Sequence, residues 1–382
     1  MRDYVQIGIG REARRGYHLS DISIVPTRRT RDAEDVSTAW RLDAFKFDIP
    51  LVAHPSDAIM SPATAARVNE AGGLGTLNAE GLWTRYSDPV SVYDKLLAAG
   101  PAQATMTLQR MYAEPVREEL ITERIHQMRE SGGTVAVRVS PQHTARLAPV
   151  ILKAGVDLLL IQGTIVSAEH VSSEGDELNL KEFIADLDVP VVVGGCNNYQ
   201  TALHLMRTGA VGIIVGFGVD SSATSDEVLG IRAPMATAII DAAAARRDYL
   251  DETGGRYVHV IADGEVQTSG DIARAIGCGA DAVMLGRALS SATEAPGRGA
   301  WWDYAASHPK LPRGTFDPDA GESSVPMGQL LSGAALVANG RHNLFGGLRR
   351  AMAKCGYSDV KEFQRVELAL SESLGQNVQT LS

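Results

Sequence analysis

The sequence predicts an α/β fold, a single (β/α)8 TIM barrel with an N-terminal strap before it and a lid and helical extension after it. Three observations predict this. Short β-branched apolar runs, each bounded by glycine or proline, alternate eight times with helical segments, which is how buried parallel strands read. Three helix-to-strand junctions are near copies: Ala154-Gly155-Val156-Asp157-Leu158-Leu159, Thr208-Gly209-Ala210-Val211-Gly212-Ile213 and Cys278-Gly279-Ala280-Asp281-Ala282-Val283. The units spread evenly from Ile49 to Leu289, close to the roughly 250 residues of such a barrel and more regular than an open doubly wound sheet.

Taken in order, the predicted strands are Ile49–Ala53, Leu74–Leu77, Val135–Val139, Val156–Ile161, Val191–Val193, Val211–Val215, Tyr257–Ile261 and Ala282–Leu285. Between and around them, helical spacing covers Pro62–Ala71, Val90–Ala99, Glu118–Glu130, Gln142–Ala154, Leu180–Leu187, Tyr199–Thr208, Met235–Asp251 and Asp271–Gly277, most of them closing on glycine. The boundaries are then 1–48 for the strap, 49–300 for the barrel, 301–344 for the lid and 345–382 for C-terminal helices docking on the barrel. Residues 301–344 lack clear periodicity, and an irregular stretch of this length inside a domain is more often a functional lid than a linker. Arg11, Arg14, Arg15, Arg28, Arg29 and Arg31 read as a solvated strap over the barrel bottom rather than a binding arm.

Charge and composition narrow the function. The chain has 382 residues, 45% of them hydrophobic, and 36 basic against 46 acidic side chains, a net charge of −10. No basic stripe is on offer to a phosphodiester backbone, so nucleic acid is excluded as a partner, and an anionic substrate must be held locally. No apolar run reaches the length of a bilayer span and Met1-Arg2-Asp3-Tyr4 opens no signal peptide, so no membrane partner and a cytoplasmic location are expected. Three cysteines, Cys196, Cys278 and Cys355, have no metal-type spacing, so no metal site and a reducing compartment are expected.

Active sites of this fold sit in the loops after the strands, often with phosphate held after the seventh and eighth. Those loops read His54-Pro55-Ser56-Asp57 after the first strand, Gln162-Gly163-Thr164 after the fourth and Gly194-Gly195-Cys196-Asn197-Asn198 after the fifth. The sixth is followed by Gly216-Phe217-Gly218 and Asp220-Ser221-Ser222, the seventh by Asp263-Gly264-Glu265 and the eighth by Gly286-Arg287. Backbone N–H groups and hydroxyls on such glycine loops can cradle a phosphate, with Arg287 supplying charge. The same glycines would serve tight turns alone, but agreement of three successive loops favours the cradle. Asp263 suits a ribose diol or an N-cap. Cys278 and Cys355 read as packing residues, whereas Cys196 lies on the predicted active face and is a candidate nucleophile. Gly8-Ile9-Gly10-Arg11-Glu12-Ala13 matches a dinucleotide fingerprint as a string, but no adequate buried strand precedes it.

Leu19-Ser20-Asp21-Ile22-Ser23-Ile24-Val25-Pro26, Gly72-Gly73-Leu74-Gly75, Pro234-Met235-Ala236-Thr237-Ala238, Ile261-Ala262-Asp263-Gly264 and Thr293-Glu294-Ala295-Pro296-Gly297 together resemble the IMP dehydrogenase/GMP reductase family. The resemblance runs from about Tyr17 to Gln364. Only about 60 residues separate Gly75 from Val135, too few for the tandem CBS regulatory module, so the chain resembles the short branch. It implies a homotetramer or higher oligomer and binding of a purine nucleoside monophosphate (IMP, GMP or XMP), with a true IMP dehydrogenase as a further candidate partner. By motif position, Ser221, Gly264, Gly286 and Arg287 correspond to phosphate contacts, Asp263 to the ribose acid and Ser56 to a base-side position. Gln162, Gly163 and Thr164 stand at the nicotinamide-ribose loop of the NAD or NADP site.

The family's chemistry adds a cysteine thiolate to purine C2, because that group both attacks and leaves. Its position here is Ala223, and a methyl group forms no covalent intermediate. Ser225 and Glu294 keep the family's hydroxyl and acidic positions. Catalysis is therefore expected to be lost; the alternatives are an active NAD(P)-dependent oxidoreductase working through Cys196, and a non-catalytic regulatory partner.

Overall fold

Eight parallel strands form one sheet: β1 (Leu51–Ala53), β2 (Thr76–Asn78), β3 (Ala136–Val139), β4 (Leu158–Gln162), β5 (Val191–Cys196), β6 (Gly212–Val219), β7 (His259–Gly264) and β8 (Ala282–Leu285). Their order is β1-β8-β7-β6-β5-β4-β3-β2. A parallel bridge from Val52 to Leu74 closes the ring, where the Leu74 N–H donates to Leu51 O at 2.9 Å and the Ala53 N–H to Leu74 O at 2.8 Å. The computed structural model describes residues 4–170, 178–219, 222–321 and 324–371. It is the predicted TIM barrel, with no free edge and helices on the outside.

Alternation along the strands sorts their side chains. Val52, Ala136, Leu158, Leu160, Val192, Ile214, Ile261, Ala282 and Met284 fill the interior, while their neighbours pack against the helices. The lower end is stoppered by a hairpin, Trp40–Leu42 paired with Phe45–Phe47, whose Trp40, Leu42 and Phe47 join the interior cluster. The strap therefore does more than lie solvated over the bottom. Arg14 pairs with Asp241, Arg28 stacks over Tyr357 at 4.1 Å and Arg31 Nε donates to Gly356 O at 3.0 Å. The Gly8–Gly10 string is the turn of an exposed hairpin, Tyr4–Gly8 with Arg11–Arg14, and not a strand-to-helix junction.

Strands β5, β6 and β7 run past the ends expected from sequence. Glycine was read there as punctuation, yet Gly216 and Gly218 take φ of 96° and 73° and carry β6 onward through a register shift. A Cβ at Gly195 would lie 1.9 Å from Gly216 O, so close strand contact itself requires glycine. A helix absent from the sequence reading, Pro101–Tyr112, buries Ala104, Leu108 and Met111. After Leu344–Lys354 and Val360–Phe363 the C-terminal region is not helical throughout: Glu367–Leu370 pairs antiparallel with Ile22–Val25, tying tail to strap. Among the described residues no helix is long and apolar enough to cross a membrane.

Leu42 is fully buried at the stopper. Replacing it with alanine should cost about 2–5 kcal/mol in urea unfolding, because the rigid strand ends around it cannot collapse into the gap.

Candidate functional site

The upper mouth of the barrel is filled by the chain's own side chains. His54, at the end of β1, is buried with its ring stacked on Tyr304 (5.5 Å, 4°) and edge-on to Trp301 (5.6 Å). Its Nε2 is 3.3 Å from Asp303 Oδ2. Burial works against the imidazolium, but the Asp303 carboxylate beside it and the field of Asp263 outweigh it and hold His54 above its ordinary range. Opposite stands Arg138 of β3, its guanidinium 4.1 Å from the Tyr304 ring centroid and donating to Gln162 O at 2.6 Å. Glu80 faces it at 3.2 Å. Burial alone would raise that carboxyl, yet His143, Arg138 and the Ser140 N–H bring it down to about 2.

The anion side is assembled from β7 and β8. Asp263 is buried and accepts a hydrogen bond from Gln162 Nε2 at 3.1 Å. Arg287 pairs with Asp317 at 2.5 Å, so the cation of the cradle is already matched by a carboxylate of the lid. Asp303 has a similar place: its Oδ2 is 3.4 Å from where a Cβ on Gly218 would be. Glu265 borders the mouth cavity, but its carboxylate is held elsewhere. Its backbone has a φ of 56°, and the carboxylate accepts from His18 Nδ1 and, at 2.9 Å, from the Leu19 N–H. A cavity of only about 20 Å³ remains between His54, Asp263, Gly264, Met284, Gly286 and Arg287, room for about one water.

A family model described as the IMP dehydrogenase / GMP reductase domain matches residues 16–377. The chain belongs to the IMP dehydrogenase/GMP reductase family. An uncharacterized oxidoreductase of Mycobacterium tuberculosis is 56% identical over 372 residues, 96% of this chain and 99% of that protein. The inosine-5'-monophosphate dehydrogenase of Methanocaldococcus jannaschii is 30% identical over 260 residues, 60% of this chain and 49% of that one. The crystal structure of an IMP dehydrogenase/GMP reductase-like protein from Corynebacterium glutamicum superposes with a TM-score of 0.93 at 54% identity, covering 97% of this chain and 98% of that one.

Against the family's pattern, Asp263, Gly264, Gly286 and Arg287 come together at the mouth; Ser221 lies outside the described residues. Ser56 is brought there too, but its hydroxyl donates to Trp302 O at 2.5 Å. Gly286 is small for a packing reason: a Cβ would strike the Trp301 ring at 2.5 Å. Ala223 lines a separate recess of about 110 Å³ with Phe217, Ser225 and Arg232. Ser225 is buried at the start of the helix Ser225–Leu229. Glu294 is not at the mouth chemistry; its carboxylate accepts from the Met327 N–H at 2.9 Å and anchors the helix Met327–Ser332.

Cys196 does not fit a nucleophile. It lies in β5 on the face packed against the helices, fully buried, and burial pushes its thiol up to about 12. Cys278 and Cys355 are buried as well, so no thiol of this chain reaches the mouth. The three described residues at the position of the family's NAD or NADP loop are engaged within the chain and do not fit that cofactor as they stand. The Gln162 amide is turned to Asp263, Gly163 is held by backbone bonds to Gly194 and Gly195, and the Thr164 hydroxyl accepts from Arg313 at 3.3 Å. Among the described residues no group of three His, Cys, Asp or Glu could hold a metal ion.

Sequence reasoning passed over Arg138, although a signal was present: in the run Val135–Val139 it shares the inward face with Ala136. It also passed over the acid in the first loop. Asp57 is buried and accepts from Tyr112 Oη at 2.5 Å and the Leu82 N–H at 3.0 Å, while Trp302 Nε1 donates to the same Tyr112 at 3.1 Å. Burial pushes this carboxyl from 3.8 up to about 6, against those hydrogen bonds. Folding thus favours protonated Asp57, and that contribution is lost as pH rises from about 4 through about 6. Wild type should lose stability relative to Asp57→Asn across this window, by on the order of 3 kcal/mol at most, in urea unfolding at stepped pH.

Proposed function

We propose that this protein binds a purine nucleoside monophosphate at the barrel mouth and does not perform the family's cysteine-dependent oxidoreduction. The observation that carries the reading is Ala223, together with three cysteines that are all buried away from the mouth. Addition to a purine C2 needs a group that attacks and then leaves, and none is present there. The nucleotide half of the reading is supported by Arg287 and the β7 and β8 ends, which gather a cation, a buried acid and two glycines where this fold often holds phosphate.

Binding on this reading is an exchange. A nucleotide phosphate takes the place of the Asp317 carboxylate on Arg287, a ribose diol takes the Asp263 carboxylate from Gln162, and a purine ring replaces the Trp301 and Tyr304 rings against His54. The segment between Trp301 and Asp317 carries the first and the third of these competitors, so one outward movement frees Arg287 and His54, while Gln162 stays on β4 and yields Asp263 separately. A homotetramer, implied by the family, belongs to the same proposal and is checked by light scattering.

Calorimetric titration with IMP, GMP and XMP tests the exchange. Asp317→Asn should tighten binding about tenfold by removing the internal competitor, and Arg287→Gln should weaken it about tenfold or more. Mixtures with IMP and NAD, or GMP and NADPH, should show no change in reduced-nicotinamide absorbance; turnover near the enzymatic median of about 10 per second overturns the loss of catalysis.

A further inference from the structure

A cavity roomier than the mouth lies at the opposite end of the barrel. A recess of about 380 Å³ is lined there by Trp40, Arg41 and Lys46 of the stopper hairpin, Tyr257 and His259 at the start of β7, and Lys361 of the helix Val360–Phe363. That volume lies in the range of small-molecule sites, whereas the closed mouth has room for about one water. The recess has an aromatic wall. The His259 ring meets Trp40 edge-on at 6.0 Å and Tyr257 at 5.0 Å. Trp40 Nε1 and His259 Nδ1 are both buried and have no hydrogen-bond partner.

Its charge is unlike that of the rest of the molecule. The acid in the lining, Asp281, is spent: Arg246 pairs with it at 2.5 Å, and Tyr257 Oη, the Val260 N–H and Gln364 Nε2 donate to it at 2.6, 2.8 and 2.9 Å. Two cations, Arg41 and Lys46, are left over, and a third, Lys361, is 3.8 Å from Asp281 Oδ1 and donates to the Tyr257 hydroxyl. Lys361 stands 3.8 Å over the Tyr257 ring. Arg41 and Lys46 lie directly opposite each other in the hairpin register, an arrangement that costs stability when no anion comes between them. On a chain with a net charge of −10, the stopper needs only its apolar face to plug the barrel, and nothing in that role calls for paired cations on the other.

We propose that this recess binds a small anionic aromatic molecule, a planar ring carrying a carboxylate or a phosphate. The ring would lie against Trp40, Tyr257 and His259, with the acid between Arg41, Lys46 and Lys361. The site is separate from the mouth and does not depend on the nucleotide reading.

Calorimetric titration of the full chain with 2-naphthoate and with 2-naphthyl phosphate tests it, with 2-naphthol as the uncharged control. Wild type should bind one acid or both with a Kd below about 1 mM, and the stronger binder distinguishes carboxylate from phosphate. Arg41→Gln and Lys361→Gln, both at exposed positions, should each weaken binding about tenfold. Naphthol should bind at least as weakly as the variants, and Arg287→Gln at the other end should change nothing. Three results overturn the proposal: neither acid binds, affinity survives in the Arg41→Gln/Lys361→Gln double variant, or Arg287→Gln abolishes binding and so puts the probe in the mouth.

Discussion

Two carboxylates on one segment, Asp303 and Asp317, lie against His54 and Arg287 at the barrel mouth. Most of the upper half of the molecule depends on this arrangement. With Asp317 on Arg287, the Trp301 and Trp302 rings are buried over the strand ends without leaving an uncompensated guanidinium beneath them, which would cost several kcal/mol. The aromatic packing in turn sets Gly286 as glycine, engages the Ser56 hydroxyl and links through Tyr112 to Asp57.

A mouth closed in this way sets a threshold for any ligand. If the open form is populated at about 1%, apparent affinity falls about a hundredfold below the intrinsic value, and only contacts made in the open form repay it. A phosphate carries more charge than the carboxylate it displaces and accepts more hydrogen bonds, so it can meet that threshold where a neutral nucleoside would not. On the proposed reading, the family's chemistry and its ligand recognition separate: the first needs a thiol where this chain has Ala223, and the second draws on three strand ends.

The barrel was legible in the sequence because its cause is local: a buried parallel strand must be a short apolar run, and Ala282–Leu285 was read to the residue. The ends of β5, β6 and β7 were not, since glycines that usually break strands here let neighbouring backbones approach within a few ångströms. That the β7 and β8 ends meet at the barrel mouth was legible, but the side chains they meet there were not. Asp303 and Asp317 lie in an aperiodic stretch, and neither spacing nor residue type says that such a segment folds inward. Cys196 looked exposed because Gly194 and Gly195 suggested a loop, whereas the strand continues through all three.

Glu265 gives the strap a further meaning. Its carboxylate sits one residue from the cradle glycine Gly264, and its backbone at φ of 56° points it instead to His18 and Leu19. The N-terminal segment runs from this contact, through the pairing of Ile22–Val25 with the tail, to the hairpin under the barrel. It therefore fastens one end of the molecule to the other along the outside. Peeling that fastening away would release the Glu265 carboxylate beside Gly264, so the charge around the β7 end depends on a segment remote in sequence.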